Sequence, residues 1–112
     1  MDVSQALTHL IKSELAPMQF STGSRGFHGS GKIVAEGMRY QAQCQAILIG
    51  SKSNPNLTVD ATCDEIAAAL TALVVDGLQA RRFSTGRTGF RTDGKIQAGG
   101  QRYQASVQAV RL

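Results

Sequence analysis

The chain has 112 residues, 42% of them hydrophobic and 18% charged, with 12 glycines, 2 prolines and no tryptophan. That length suits one compact domain and excludes α/β barrels and full dinucleotide-binding folds, while the apolar fraction excludes a disordered chain. Twelve basic and eight acidic residues give a formal net charge of +4, a modest lean toward phosphates, nucleotides, nucleic acid or an acidic protein.

Apolar residues at Val3, Ala6, Leu7, Leu10, Ile11 and Leu15 recur at helical spacing and predict an amphipathic helix that starts near Asp2 and stops near Pro17. Two-residue alternation follows. It runs through Met18, Phe20 and Thr22, then Phe27 to Ala35, then Tyr40 to Leu48, with turns at Gly23–Gly26 and Glu36-Gly37. Residues 50–61 are polar and turn-rich and read as a linker. A second helix begins at the capping-box pattern Thr62-x-x-Glu65 and stops near Gly77. Its Ala67, Ala68, Ala72 and Val75 make it apolar almost all round, which predicts burial on every side, between the units or between protomers.

The chain repeats itself. Phe20–Ile49 aligns with Phe83–Leu112 at an offset of 63 residues without a gap, and 17 of the 30 pairs are identical. The same offset places the apolar positions of the first helix on Ile66, Ala69, Leu70, Leu73, Val74 and Leu78. The expected fold is therefore α+β. It is a tandem duplication of a helix plus a three-stranded antiparallel unit (αβββ-αβββ), with repeats at 1–49 and 62–112 around the linker. One such unit buries little apolar surface, so the two are expected to share a core as one pseudo-two-fold domain.

Alternation sorts the strand residues onto two faces. Phe27, Ile33, Tyr40, Ala42 and Ala46, with Phe90, Ile96, Tyr103, Ala105 and Ala109, should face the helices. His28, Ser30, Lys32, Arg39, Gln41, Gln43 and Gln45, with Arg91, Asp93, Lys95, Arg102, Gln104, Ser106 and Gln108, should lie on the other face. That face is either solvated or a platform for an anionic, hydrogen-bonding ligand. The matched pairs Lys32/Lys95 and Arg39/Arg102 favour the platform.

The repeated loop F-S-T-G-x-x-G-F is a second candidate. Its glycines either shape a hairpin or point N–H groups at a phosphate, with Arg25, Arg87 and Arg91 adding charge. Phe20 and Phe83 could stack on a base, or belong to the core. The loop fits neither a P-loop nor a dinucleotide fingerprint.

Chemistry-bearing constellations are missing. The acidic residues fall mostly at helix ends or in the linker, and His9 and His28 have no counterparts in the second copy. No acid–base pair, nucleophile triad or metal-ligand spacing stands out, so no enzyme, cofactor or metal is expected. The start Met1-Asp2-Val3-Ser4 lacks a signal-peptide pattern, and the longest apolar run, Ile66–Val75, is half a membrane span. A cytoplasmic protein with reduced thiols is expected, with a single Cys44–Cys63 pairing left open.

The stretches F20-S-T-G-S-R-G-F27, G31-K-I33, R39-Y-Q41 and I49-G-S-K52 resemble the F-x-T-G-S-x-G-[FY]-x-x-x-G-K and R-Y-Q pattern of the phage-encoded Thoeris anti-defence sponge proteins. The resemblance covers Phe20–Lys52 and Phe83–Leu112. It implies a homo-oligomer in the host cytoplasm that sequesters cyclic ADP-ribose-type signals from bacterial TIR-domain proteins, by binding and not by cleavage. Some members of that family also bind cyclic oligonucleotides. It further implies an aromatic contact at Phe83 and a polar one at Asp93, matched by Phe20 and Ser30. The candidate ligand residues are thus Phe20, Arg25, His28, Lys32, Arg39, Phe83, Arg87, Arg91, Asp93, Lys95 and Arg102. A single-stranded nucleic-acid-binding module and a protein–protein inhibitor are the alternatives.

Overall fold

The computed structural model describes residues 1–112. Helix α1 (Val3–Glu14) is followed by β1 (Ala16–Gln19), β2 (Arg25–Ala35) and β3 (Met38–Leu48). Helix α2 (Cys63–Gly77) is followed by β4 (Gln79–Arg82), β5 (Thr88–Ala98) and β6 (Gln101–Arg111). The result is an α+β domain with two helices on one face of a six-stranded antiparallel sheet of order β1-β2-β3-β6-β5-β4.

Both helices begin on side-chain caps. Asp2 accepts from the Gln5 N–H at 2.8 Å while the Gln5 side chain accepts from the Asp2 N–H. Thr62 and Glu65 form the expected reciprocal pair at 3.2 and 3.0 Å, and the Thr62 N–H, with the Thr62 hydroxyl beside it, holds the Glu65 carboxyl below its usual range. Each cap stabilises its helix by about 1 kcal/mol. Pro17 does not end α1 itself; the chain leaves the helix at Leu15, and Pro17 sits in edge strand β1. The first alternation is shorter than predicted because Phe20 and Thr22 belong to the hairpin turn.

Strand pairing repeats along the chain. The β1–β2 and β2–β3 registers become those of β4–β5 and β5–β6 when 63 is added to every number. At the centre, β3 meets β6 with Cys44 opposite Val107, its own counterpart in the alignment. One apolar cluster of 22 buried residues spans both halves and includes Leu7, Ile11, Phe27, Ile66, Leu70 and Tyr103. The predicted helix-facing set is found there, with Phe90 half-buried at its margin. Cys44 lies fully inside; burial pushes its thiol up to about 11, so it is a neutral packing group. Both cysteines are free.

One expectation is corrected. Helix α2 buries only Ile66, Leu70 and Val74 fully, whereas Ala68, Ala72 and Val75 are exposed, Val75 by 68%. The fold has two layers, so a helix lying on the sheet keeps an outer face uncovered. No helix is long and apolar enough to cross a membrane.

Candidate functional site

The sheet face away from the helices carries the predicted polar set, but not as one platform. Leu112 N–H bonds to Arg39 O, and Ile49 N–H bonds to Arg102 O. Arg39 and Arg102 therefore flank opposite ends of β6, separated by ten residues of strand. At about 3.3 Å per residue that is roughly 33 Å, beyond the reach of one small ligand. Lys32 and Lys95 are exposed opposite Gln41 and Gln104, each in its own half.

The repeated loops are hairpin turns. In the first, Gly23 N–H donates to Phe20 O at 2.9 Å and Phe20 N–H to Ser24 O at 2.8 Å; Gly86, Phe83 and Arg87 repeat the pattern. A three-residue loop with a left-handed glycine at its end closes this way. These amides are used within the turn and are not offered to a phosphate.

Arg25, expected to contact ligand, instead clamps the linker. One Nη2 donates to Asn54 O at 2.8 Å and Leu57 O at 2.6 Å. Both bonds are charge-assisted and contribute more than neutral ones. Arg25→Ala should therefore lower stability by about 2 kcal/mol and expose residues 52–59 to protease, measured by urea melts and limited proteolysis. Arg87 has a backbone role too, donating to Arg111 O at 3.2 Å.

One cluster does converge, at the outer margin of the second half. Strand β4 pairs only with Thr88–Arg91, so the outer edge of β5 beyond Arg91 is uncovered. Between that edge and the end of α2 lies a cleft of about 690 Å³. Arg81, Arg91, Asp93, Gln79 and Asp76 line its polar side, and Leu73, Ala69 and Ile96 its apolar side. Arg91 is held in place from two directions, by Asp93 at 3.1 Å and by the Gln108 amide oxygen at 2.7 Å. The Arg81 guanidinium lies 5.8 Å from the centre of the Phe83 ring. The cleft thus holds two guanidiniums, two carboxylates and the Gln79 amide, with an aromatic face beside Arg81. Its guanidiniums can meet an anion, and its carboxylates and amide can exchange hydrogen bonds with a polar ligand.

The first half has no equivalent charge. Arg81, Arg91 and Asp93 correspond to Met18, His28 and Ser30, and His28 meets Phe20 edge-on at 6.4 Å. The helix–strand seam differs as well. A Cβ on Gly29 would lie 3.0 Å from the Glu14 backbone, whereas in the second half the strand carries Thr92 and the helix end carries Gly77. The bulk has moved from helix to strand, and Thr92 lines the cleft.

Arg91 and Asp93 are thus the predicted residues brought together in the cleft, with Phe83 next to it through Arg81. Arg81 and Gln79 were missed, because they lie just before the aligned stretch Phe83–Leu112 from which the candidates were drawn. No group of His, Cys, Asp and Glu side chains is placed to hold a metal ion. No family model matches the chain, and no curated protein and no solved structure matches it either.

Proposed function

We propose that the protein is a non-catalytic binder of a small phosphate-bearing nucleotide, taken in the cleft at Arg81, Arg91 and Asp93. The single observation that carries this reading is the convergence of two guanidiniums and two carboxylates on one open cleft, with the Phe83 ring beside Arg81. Phosphate would meet Arg81 and Arg91 as charge-assisted hydrogen bonds. Asp93 would accept from a ribose hydroxyl or a base N–H. A cyclic nucleotide or ADP-ribose-derived signal fits this chemistry, and sequestration of such a signal, as in a phage anti-defence sponge, needs no catalytic group.

We also infer that the chain arose as a tandem duplication with a pseudo-two-fold axis passing between Cys44 and Val107. The repeated registers and the 63-residue sequence offset support it. The charges were then acquired, or kept, by the second copy alone, which makes one site per chain. The uncovered Ala68, Ala72 and Val75 on α2, beside the cleft, support assembly with further copies.

Isothermal titration with cyclic ADP-ribose isomers and with cyclic di- and trinucleotides tests the reading. Saturable heat at one ligand per chain is expected for at least one of them, and the ligand should be recovered chemically unchanged. Absence of heat across the panel, or turnover of the ligand, would reject it.

The nucleic-acid alternative draws on the same arginines, but those on the second half lie at one end of the sheet and do not track along it. Gel retardation at low salt that collapses steeply with added salt would favour that reading over a discrete small-ligand site.

A further inference from the structure

Helix α2 presents a stripe of four residues to the cleft: Ala69, Ala72, Leu73 and Asp76. Their spacing of i, i+3, i+4 and i+7 puts them on one side of the helix. Subtracting 63 gives Ala6, His9, Leu10 and Ser13 in α1. The alanine and leucine that pack on the core are the same in both copies. The other two positions differ. An imidazole gives way to a methyl, which leaves an apolar slot along the helix, and a hydroxyl gives way to a carboxylate.

That carboxylate stands in an unfavourable place. Asp76 lies in the last turn of α2, where the helix dipole is negative, and no basic residue shares that turn. Ser13, at the matching place in α1, donates to Leu10 O at 3.3 Å and suits a helix end. Asp76 is exposed and in no ion pair; the ion pair of the cleft joins Arg91 to Asp93. Arg81, on the β4 side, is in no ion pair either. The cleft therefore carries an uncompensated guanidinium and an uncompensated carboxylate on different walls. A residue that breaks a local rule without a compensating partner points to function.

A ligand with an anion at one end and paired hydrogen-bond donors at the other satisfies both groups. Among the common nucleobases, guanine alone offers two adjacent donors, N1–H and N2–H, and the two oxygens of a carboxylate accept them side by side. Adenine and cytosine place a ring acceptor beside the amino group, and uracil flanks its N–H with two carbonyls. Each would set a lone pair against the carboxylate.

We propose that Asp76 selects the base and that the cleft takes a guanine nucleotide. The ring lies along Ala69, Ala72 and Leu73, its N1–H and N2–H donate to Asp76, and the phosphate meets Arg81 and Arg91. This rests on the nucleotide reading of the same cleft and narrows it to one base.

Cyclic di-GMP, cyclic di-IMP and cyclic di-AMP test it by isothermal titration. They share one sugar–phosphate ring and differ only in the base; hypoxanthine keeps N1–H and lacks the 2-amino group. Cyclic di-GMP should bind about tenfold tighter than cyclic di-IMP and about 100-fold tighter than cyclic di-AMP, because each lost bond to a charged group is worth about one decade or more. Asp76→Asn offers one donor and one acceptor. It should weaken cyclic di-GMP by about tenfold and abolish the preference over cyclic di-AMP. Its melting temperature should be no lower than the parent's, since the charge removed opposed the helix dipole. Arg91→Ala should weaken all three ligands alike and keep their order. Equal binding of the three, a guanine preference that survives Asp76→Asn, or binding of a cyclic ADP-ribose isomer without binding of cyclic di-GMP would each overturn the assignment and leave the nucleotide reading standing. No binding of any nucleotide by the parent chain would remove both.

Discussion

Gly26→Ala and Gly89→Ala should each destabilise the fold by about 3 kcal/mol or more, beyond the usual cost of one added methyl in a packed interior. A Cβ on Gly26 would lie 1.9 Å from the Ala46 carbonyl oxygen, and one on Gly89 would lie 1.9 Å from that of Ala109. Those oxygens belong to β3 and β6, the two central strands, so relief requires shifting the ladder that joins the halves. A flexible side chain could rotate away from a new methyl; a backbone carbonyl within a sheet cannot. Gly23→Ala and Gly86→Ala are the controls. A Cβ there meets nothing within 4 Å, so only the positive φ of 94° and 88° is penalised, by about 1–2 kcal/mol. Differential scanning calorimetry should separate the pairs by about 5–15 °C in midpoint, since about 1 kcal/mol moves a domain of this size by 4–8 °C. Equal midpoints for Gly26→Ala and Gly23→Ala would refute the close approach. The comparison also decides what the G-x-x-G spacing is for. Glycines kept for a phosphate would lose binding on substitution and keep stability; these should lose stability first.

Local pattern made most of the elements legible. Helical spacing from Val3 and from Ile66, the Thr62–Glu65 cap and the two-residue alternation all act within a few residues, and each is found where it was read except the first alternation, which stops at Gln19. The sorting of Tyr40, Ala42 and Ala46 to the helix side follows from the pleat alone. Features set by distant parts of the chain were not legible. Arg25 looked like a ligand residue because its partners, Asn54 and Leu57, are 29 and 32 residues away. Arg39 and Arg102 looked like one platform because matched positions in a repeat share a face; antiparallel pairing of β3 with β6 sends them to opposite ends. Arg81 was passed over because it lies outside the aligned stretch Phe83–Leu112. Agreement between copies marks what the shared fold needs, as with Gly26/Gly89 and Tyr40/Tyr103. The proposed site draws instead on positions where the copies disagree, at Met18/Arg81, His28/Arg91 and Ser30/Asp93.

Arg91→Ala should weaken nucleotide binding by about 100-fold, because a bond to a charged partner contributes about 1.5–3 kcal/mol and each 1.4 kcal/mol is tenfold. Arg91 is fixed by Asp93 and Gln108, so its fork meets a phosphate without much further ordering. Arg91→Lys should restore only a small part of that loss, since an ammonium cannot satisfy the Gln108 oxygen, Asp93 and a phosphate in one plane. Arg81→Ala should weaken binding by about tenfold, because that guanidinium is exposed and positioned only by the Phe83 ring. Stability should hardly change. The Arg91 side chain is 29% exposed and its ion pair is a surface one, worth about 0–1 kcal/mol. The first-half substitutions His28→Ala, Lys32→Ala and Arg39→Ala are the decisive comparison. If one copy carries the site, all three titrate like the parent chain at one ligand per chain. If the matched face of the sheet were the platform, Arg39→Ala would cost as much as Arg91→Ala and the stoichiometry would be two. The same titration series therefore tests both the residues of the site and the asymmetry between the halves that produced it.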